Sequence, residues 1–449
     1  MEEIKPKVEP IDRWVIEPIR DFMNNSSTSG IVLFTSAAIA LILANSPWSH
    51  EYHLFWQNSF SIGFGDHVLT KSLHQWINDG LMAVFFFVVG LELKREIIGG
   101  QLSNPKNAIL PIVAAIGGMI FPALIYTLFN SSGPTLDGWG IPMATDIAFA
   151  LGVLYLLGDR VPIQVKIFLT VLAIADDIGA VLIIAFFYTS NINEESLLVG
   201  AIFLGILILA NRLGVRNTLF YGIVGILGLW LAFLMSGVHA TIAAVLAAFT
   251  IPANPKITER GFYIKLNYLL DEFKLSKPNE HSTVTNEQMH ILEEIRDYSK
   301  KALTPLQRLE HMMHPIVAFL IMPIFALCNA GVTIDSSVLN NKISMVTLGV
   351  FFGLIAGKII GVVGLTYLFH KMKWARLSEA ISFQYLIAIG CLASIGFTMS
   401  LFISELAFKN KDFINEAKIG VLIASFFASI LGYFMIKLAI KKSSNKPVD

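Results

Sequence analysis

The chain has 449 residues, of which 55% are hydrophobic and 15% are charged, and its 33 lysines and arginines balance its 33 aspartates and glutamates. A charged fraction this far below the ~25% of soluble domains, with a mean hydropathy of +0.65, predicts a polytopic membrane protein. Zero net charge without a basic stripe argues against a nucleic-acid partner, and Cys328 and Cys391 form neither a disulfide framework nor a metal-binding spacing.

The predicted elements are helices, because the apolar runs approach the ~20 residues that cross a bilayer and lack a barrel's alternating segments. We predict twelve spans, at 30–46, 74–94, 107–128, 136–156, 163–188, 195–211, 217–231, 234–251, 313–333, 344–369, 380–407 and 415–437. Before them, "EPIDRWVIEPIRDF" at 9–22 is typical of an amphipathic helix on the membrane surface, and residues 1–25 lack the apolar core of a signal peptide.

Basic residues predict the orientation. An even number of spans places both termini on one side, and that side carries most of the lysines and arginines. The other side has Lys71, Lys342, Lys409, Lys411 and Lys418. The N-terminal segment 1–29 and the tail 438–449 are therefore predicted to be cytoplasmic, with the transmembrane domain at 30–437.

Two connections are long enough to have structure of their own. Residues 51–71 alternate in part and carry Gly65-Asp66 at a turn position, which predicts an external β-hairpin, with an irregular loop as the alternative. Residues 252–309 form a polar cytoplasmic loop, and 285–303 within it has helical spacing with Thr285 or Asn286 as the N-cap. We interpret that part as a solvated helix and leave a regulatory role open.

Ionisable residues within the spans are few and mostly acidic. They are Asp79, Asp146, Asp176, Asp177 and Lys358, with Glu92, His239 and Glu405 nearer the span ends. A carboxylate in hydrocarbon must be neutralised, paired or bound to a cation, so this acidic excess predicts protons, a metal cation or both. An inert salt bridge with Lys358 would balance only one carboxylate. Asp176 and Asp177 lie about 100° apart on a helix, so one can face a cation and the other a neighbouring helix.

Two spans are interrupted. "DGWGIPMATDIAFALG" at 137–152 contains Pro142 and several glycines, and "GCLASIGFTMSLF" at 390–402 contains Gly390 and Gly396. One break in each half of a membrane chain is typical of a secondary transporter built from inverted repeats, here spans 3–5 and 10–12 with spans 4 and 11 broken. Asp146 would offset the positive helix ends at the first break, and Thr145 adds a hydroxyl ligand.

These stretches resemble a known family. "INDGLMAVFFFVVGLELKRE", "GWGIPMATDIAFALG", "VLAIADDIGAVLIIAFFYT", "SGVHATIAAV", "RLEHMMHPIVAFLIMPIFALCNAGV" and "IGFTMSLFI", in this order, strongly resemble the bacterial NhaA-type Na⁺/H⁺ antiporters over roughly 25–437. The resemblance implies a multi-pass inner-membrane antiporter, not an enzyme and without a cofactor. It would expel Na⁺ or Li⁺ for inward H⁺, electrogenically and activated by pH, as a homodimer joined through the 51–71 hairpin.

The resemblance also implies roles for individual residues. Asp177 is similar to the principal Na⁺ ligand and proton carrier, and Asp176 to a neighbour that pairs with Lys358. Thr145 and Asp146 would complete the site, with Asp146 and Lys358 compensating the charges of the broken-helix ends. The residues matched to pH regulation are Glu92, Lys94, Arg95, Glu96, Glu310, His239 and Gly396, and Asp79 matches the ion pathway.

Some features depart from the family pattern. The 252–309 loop is long, and Glu405 places a carboxylate near the external end of span 11, where we assign it no role. His311 and His314 form an H-x-x-H at a loop–helix junction, but no third ligand accompanies them, so a helix-entry role is favoured over a metal site.

The mechanistic hypothesis is competition of Na⁺ and H⁺ for the buried aspartates. At low pH the acids hold protons and refuse sodium, and at alkaline pH they bind it. An intramembrane aspartyl protease would place its two aspartates on different spans in a Gly-x-Gly-Asp context, which is missing here. A passive cation channel would not need titrating acids at broken helices. A relative that exchanges another cation also remains an alternative.

Overall fold

The computed structural model of the chain describes residues 22, 26–64, 67–189, 192–276, 283–333, 343–375, 377–378 and 381–444. Most of the amphipathic helix predicted at 9–22, the turn residues Gly65 and Asp66, and Lys342 lie outside the described residues.

The described chain is almost wholly helical. Its elements are α1 (Ser26–Ala44), α2 (Ser49–Gln57), β1 (Ser59–Phe64), β2 (His67–Ser72), α3 (73–99), α4 (Pro105–Phe129), a 3₁₀ segment (Pro134–Met143), α5 (Ile147–Tyr155), α6 (Ile163–Phe187), α7 (Glu194–Arg212), α8 (Thr218–Ser236), α9 (Ala240–Thr250), α10 (Glu259–Leu275), α11 (Asn286–Ala302), α12 (Pro305–Asn329), α13 (Met345–Lys371), α14 (Phe383–Ala393), α15 (Phe397–Ala407) and α16 (Lys411–Ser444).

Each of the twelve predicted spans has a helical counterpart. Within the described residues, eight helices are long and apolar enough to cross a membrane, namely α4, the 3₁₀ segment with α5, α6, α7, α8, α12, α13 and α16. Helices α14 and α15 reach that length together, bent by 45° at their break, so the broken span 11 is confirmed as a bent helix pair. A polytopic helical membrane protein is therefore confirmed, whereas twelve crossings and the inverted repeat stay predictions.

Several boundaries differ from the prediction. The turn predicted at 231–234 is wrong, because α8 continues to Ser236 and the chain reverses at Gly237. Gly237 has φ 80°, a left-handed conformation that glycine adopts at no steric cost. Helix α12 begins at Pro305, inside the predicted loop 252–309, and α16 continues to Ser444.

A β-hairpin is present, but it is shorter than predicted. Strands β1 and β2 pair antiparallel from Ser59 with Ser72 to Phe64 with His67. Residues 51–57, predicted as part of the hairpin, instead belong to α2. Tyr52 explains the difference, because its side chain is buried and its hydroxyl donates a 2.5 Å hydrogen bond to the Leu327 carbonyl, which ties this helical turn to α12.

The segment 252–309 contains two helices packed side by side. The predicted helix at 285–303 is confirmed as α11, and Thr285 is its N-cap, with Oγ1 accepting from the Gln288 amide at 3.2 Å. Helix α10 was not predicted. Lys265 of α10 lies 3.1 Å from Glu294 of α11, and this carboxylate raises the pKa of Lys265.

Close helix contacts position the centre of the molecule. Helices α4 and α13 meet at Gly117 and Gly361, where a Cβ on either residue would overlap the carbonyl of the other. Because only glycine fits at this distance, Gly361 brings the N-terminal half of α13, and with it Lys358, next to the broken span 4. A second apolar cluster joins α7, α8 and α9 to the C-terminal half of α3 and the N-terminal end of α12.

Candidate functional site

The two interrupted spans cross at their breaks. Residues 144–146 separate the 3₁₀ segment from α5, and residues 394–396 separate α14 from α15. The Asp146 amide donates a 2.7 Å hydrogen bond to the Ile395 carbonyl, and the Ser400 hydroxyl donates to the Ile141 carbonyl at 2.7 Å. The crossing therefore consists of backbone groups that neither helix satisfies internally.

Gly396 lies within this crossing. A Cβ there would come within 2.8 Å of a Leu354 methyl carbon and 3.1 Å of the Ala144 carbonyl oxygen. Glycine thus permits the close approach of the two broken spans, although the resemblance matched Gly396 to pH regulation.

Asp146 caps two helices at once. Its Oδ1 accepts from the Phe149 amide at 3.0 Å, at the N-terminus of α5, and its Oδ2 accepts from the Thr398 amide at 3.1 Å, at the N-terminus of α15. The Thr398 hydroxyl adds a third hydrogen bond, of 2.5 Å, to Oδ2. A carboxylate between two helix N-termini offsets the positive ends of both dipoles, which fits the predicted charge-compensating role.

Lys358 and Asp176 form a fully buried ion pair. The Lys358 ammonium lies 2.5 Å from Asp176 Oδ2 and donates to the Thr145 hydroxyl at 2.9 Å. Thr145 Oγ1 also lies 2.7 Å from Asp176 Oδ2 and 2.9 Å from the Ala393 carbonyl oxygen. Lys358 is therefore linked to the C-terminal carbonyl end of α14 through Thr145. The resemblance implied that Lys358 faces the carbonyl ends of the broken helices.

Two carboxylate oxygens at the centre have no hydrogen-bond partner within the described residues. They are Asp176 Oδ1 and Asp177 Oδ1, and both aspartates are 1% exposed or less. The negative charges of Asp176, Asp146 and Glu92 repel the Asp177 carboxylate, and the positive charge of Lys358 attracts it. A buried, unpartnered carboxylate oxygen in a negative field is suited to hold a proton or a small cation.

The four residues predicted as cation ligands are not equally available. Asp146 uses both oxygens at the helix ends, and Thr145 bridges Lys358 and Asp176. Within the described residues no three His, Cys, Asp or Glu side chains form a group that could hold a metal ion. A cation at Asp176 and Asp177 therefore needs hydroxyl, carbonyl or water oxygens as further ligands. His311 and His314 are both exposed.

The residues predicted for pH regulation lie in three places: Gly396 at the crossing, His239 at one end of the molecule and the other five at the opposite end. Arg95 is 2.9 Å from Glu96 and 3.1 Å from Glu310. All three charged groups interact electrostatically with Glu92. Lys94 donates to the Phe249 carbonyl at 2.6 Å, at the end of α9. These residues meet at the end of α3 that is predicted to be cytoplasmic.

His239 lies at the opposite end, where its Nε2 is 2.9 Å from the Tyr188 carbonyl oxygen. Asp79, predicted in the ion pathway, forms an ion pair with Lys71 of β2 near the same end.

Sequence reasoning assigned no role to Thr398 or to a polar group around Glu405. Each interrupted span has a threonine at or near its break, Thr145 in span 4 and Thr398 in span 11, and this similarity was the available signal. At the end of the molecule where α3 begins, Glu405 lies 2.6 Å from Lys418 and 3.6 Å from His74. No local pattern joins these three residues, which come from three helices.

Comparison with known proteins identifies the family. Residues 20–436 match the model of the family described as Na⁺/H⁺ antiporter 1. Relatives named Na⁺/H⁺ antiporter NhaA include that of Oleidesulfovibrio alaskensis, 46% identical over 96% of both chains, and that of Wolinella succinogenes, 47% identical over 95% of this chain and 94% of its own. The relative of this name from Helicobacter pylori is 43% identical, covering 95% of this chain and 97% of its own. The chain therefore belongs to the Na⁺/H⁺ antiporter 1 family, whose members are secondary transporters and not enzymes.

Proposed function

We propose that the protein exchanges Na⁺ for H⁺ across a bacterial inner membrane, by competition of the two cations for Asp177 and Asp176. The relatives' shared name supports the antiport itself. The observation that supports the mechanism is the pair of buried, unpartnered oxygens, Asp176 Oδ1 and Asp177 Oδ1, beside the crossing of two broken helices.

The charges at the centre explain why a cation must bind before the site can move. The centre contains three carboxylates, at Asp146, Asp176 and Asp177, and one ammonium group, at Lys358. The two helix N-termini compensate Asp146 and Lys358 compensates Asp176, so Asp177 carries the uncompensated charge. A proton or Na⁺ on Asp177 discharges the site. Moving the empty, charged site across an apolar barrier would cost several kcal/mol, and this cost couples the two ions.

The moving part is the group of helices around the crossing. Spans 3–5 and 10–12, that is α4, the 3₁₀ segment with α5, α6 and α13 to α16, would rock against α3, α9 and α12. Helices α3 and α12 are joined by the hydrogen bond between Asn329 and Asn78, at 3.0 Å, and α9 packs on α3. The site would thereby open alternately to the two sides.

The finer features of the proposal follow the family resemblance. Both termini are cytoplasmic, Li⁺ replaces Na⁺ at the same oxygens, and the hairpin of β1 and β2 joins a homodimer. More protons than Na⁺ ions move in a cycle, which makes exchange electrogenic. The cluster of Glu92, Arg95, Glu96 and Glu310 adjusts activity to pH, because Glu92 acts electrostatically on Asp177.

Proteoliposomes test the proposal. An outward Na⁺ gradient should drive proton uptake by the wild-type protein, and Asp177→Asn should abolish it. Asp176→Asn should impair exchange while also disturbing Lys358, so the two variants should differ in thermal stability. Asp271→Asn, on the exposed face of α10, is the matched control and should exchange normally. Unchanged exchange by Asp177→Asn would refute the mechanism.

A further inference from the structure

One face of α15 extends from the ion site to the external end of the molecule. Thr398, Phe402 and Glu405 lie at i, i+4 and i+7, so they share a face about 10 Å long. Thr398 binds Asp146 at one end of this face. Glu405 binds Lys418 and approaches His74 at the other end.

An apolar layer separates the two ends. The Phe402 ring lies 5.7 Å from the Phe86 ring of α3 and 6.3 Å from the Phe325 ring of α12, centroid to centroid. All three side chains are 1% exposed or less. An ion leaving Asp177 along this face of α15 must therefore pass between Phe402 and the two rings of α3 and α12.

Glu405, Lys418 and His74 form a polar group beyond this layer. One of its contacts joins the moving helices to α3. Glu405 and Lys418 belong to α15 and α16, which move together in the proposed function, so their 2.6 Å ion pair can persist in both states. His74 belongs to α3, on the other side of the boundary, and its Nε2 is 3.6 Å from Glu405 Oε1. External opening would break the second contact and leave the first intact.

We propose that the His74–Glu405 contact is a gating contact that holds the external side closed. This inference rests on the proposed function, because it assumes that α15 moves relative to α3. The contact joins α3 to α15 while the external side is closed, so it must break before α15 can move away from α3.

Other titratable groups belong to the same region. Cys328 of α12 interacts with Lys418 and Glu405, His53 of α2 interacts with Lys418 and Lys411 of α16, and Asp79 of α3 pairs with Lys71 of β2. Lys418 pairs with the Glu405 carboxylate at 2.6 Å, and its side chain is 9% exposed. Asp79 is already paired with Lys71, so Glu405 is the carboxylate that His74 meets across the boundary.

The native thiol of Cys328 can report external opening. Cys328 is 7% exposed, lies on α12 beside Asn329, and experiences the charges of both Lys418 and Glu405. External opening should expose its thiol to a membrane-impermeant maleimide added outside intact cells. Peptide mass spectrometry separates its labelling from that of Cys391.

His74→Leu removes the contact and keeps Glu405 paired with Lys418. We expect Cys328 to be labelled roughly threefold faster in His74→Leu than in the wild type at the same pH, the effect of losing a partly buried polar contact. His74→Gln, a milder change that keeps a polar side chain, should give an intermediate ratio.

Thr70→Val is the matched control, because it breaks the hydrogen bond between Ser61 and Thr70 in the hairpin, which does not involve α15 or α16, and it should label like the wild type. Equal labelling of wild type, His74→Leu and His74→Gln would overturn the gating contact. Na⁺/H⁺ exchange measured in the same cells separates the two hypotheses. Exchange without a labelling difference refutes the gating contact alone, whereas a wild type without exchange refutes the proposed function and the gating contact with it.

Discussion

Lys358→Met is the sharpest perturbation of the buried centre, because methionine keeps much of the side-chain volume and removes the charge together with the N–H donors. In the wild type, Lys358 is 0% exposed and bonds Asp176 Oδ2 and Thr145 Oγ1. Without it, Asp176 is a buried carboxylate without a counterion. Removing one partner of a buried pair typically costs about 3–5 kcal/mol, so Lys358→Met should lower the melting temperature clearly at pH 8.

The loss of stability in Lys358→Met should depend on pH in a defined direction. The orphaned Asp176 can relieve its charge by binding a proton, so the stability gap between variant and wild type should narrow as pH falls, by at most about 1.4 kcal/mol per pH unit. Adding Asp176→Asn to Lys358→Met removes the uncompensated charge and should restore more than half of the loss at pH 8. Thermal unfolding of the purified proteins in detergent measures all three. A Lys358→Met protein as stable as wild type at pH 8, or a double variant without recovery, would refute the pairing.

Three further changes have defined outcomes. Gly361→Ala should destabilise the protein and reduce its yield, because its Cβ would overlap the Gly117 carbonyl, whereas Gly364→Ala on the same helix meets nothing within 4 Å and should be neutral in a melting experiment. Thr398→Val should raise the KM for Na⁺ about tenfold through loss of a hydrogen bond to the Asp146 carboxylate, and Thr398→Ser should retain the wild-type KM. Lys94→Met, which leaves the Phe249 carbonyl without its 2.6 Å donor, should speed hydrogen exchange at the C-terminal end of α9 while exchange in α16 stays unchanged.

The sequence predicts a candidate site because charged side chains within apolar spans cost free energy. Two adjacent aspartates in an apolar run, a single lysine in the opposite half and a glycine or proline break in each half stand out against hydrocarbon. The structure places Asp176 against Lys358, as the resemblance implied. The double cap by Asp146 could not be predicted, because it needs the crossing of spans 4 and 11, whose residues are far apart in the chain.

The misplaced elements also have physical reasons. Residues 218–250 are apolar almost throughout, so hydropathy alone cannot locate the turn, and only the left-handed Gly237 marks it. Residues 51–57 were predicted as part of the hairpin from partial alternation, but they form a helix in which the buried Tyr52 is bonded to α12. His74, Glu405 and Lys418 belong to different helices near span ends, where charged residues are common, so their contact carried no local signal.

Proton release on addition of Na⁺ is the most direct test of competition at Asp177. Purified wild-type protein in weakly buffered detergent solution at alkaline pH should release protons when NaCl is added and none when choline chloride is added. Asp177→Asn should release none with either salt, while Asp271→Asn should behave like the wild type. Proton release by Asp177→Asn equal to that of the wild type would contradict the proposal that Na⁺ and H⁺ share this carboxylate.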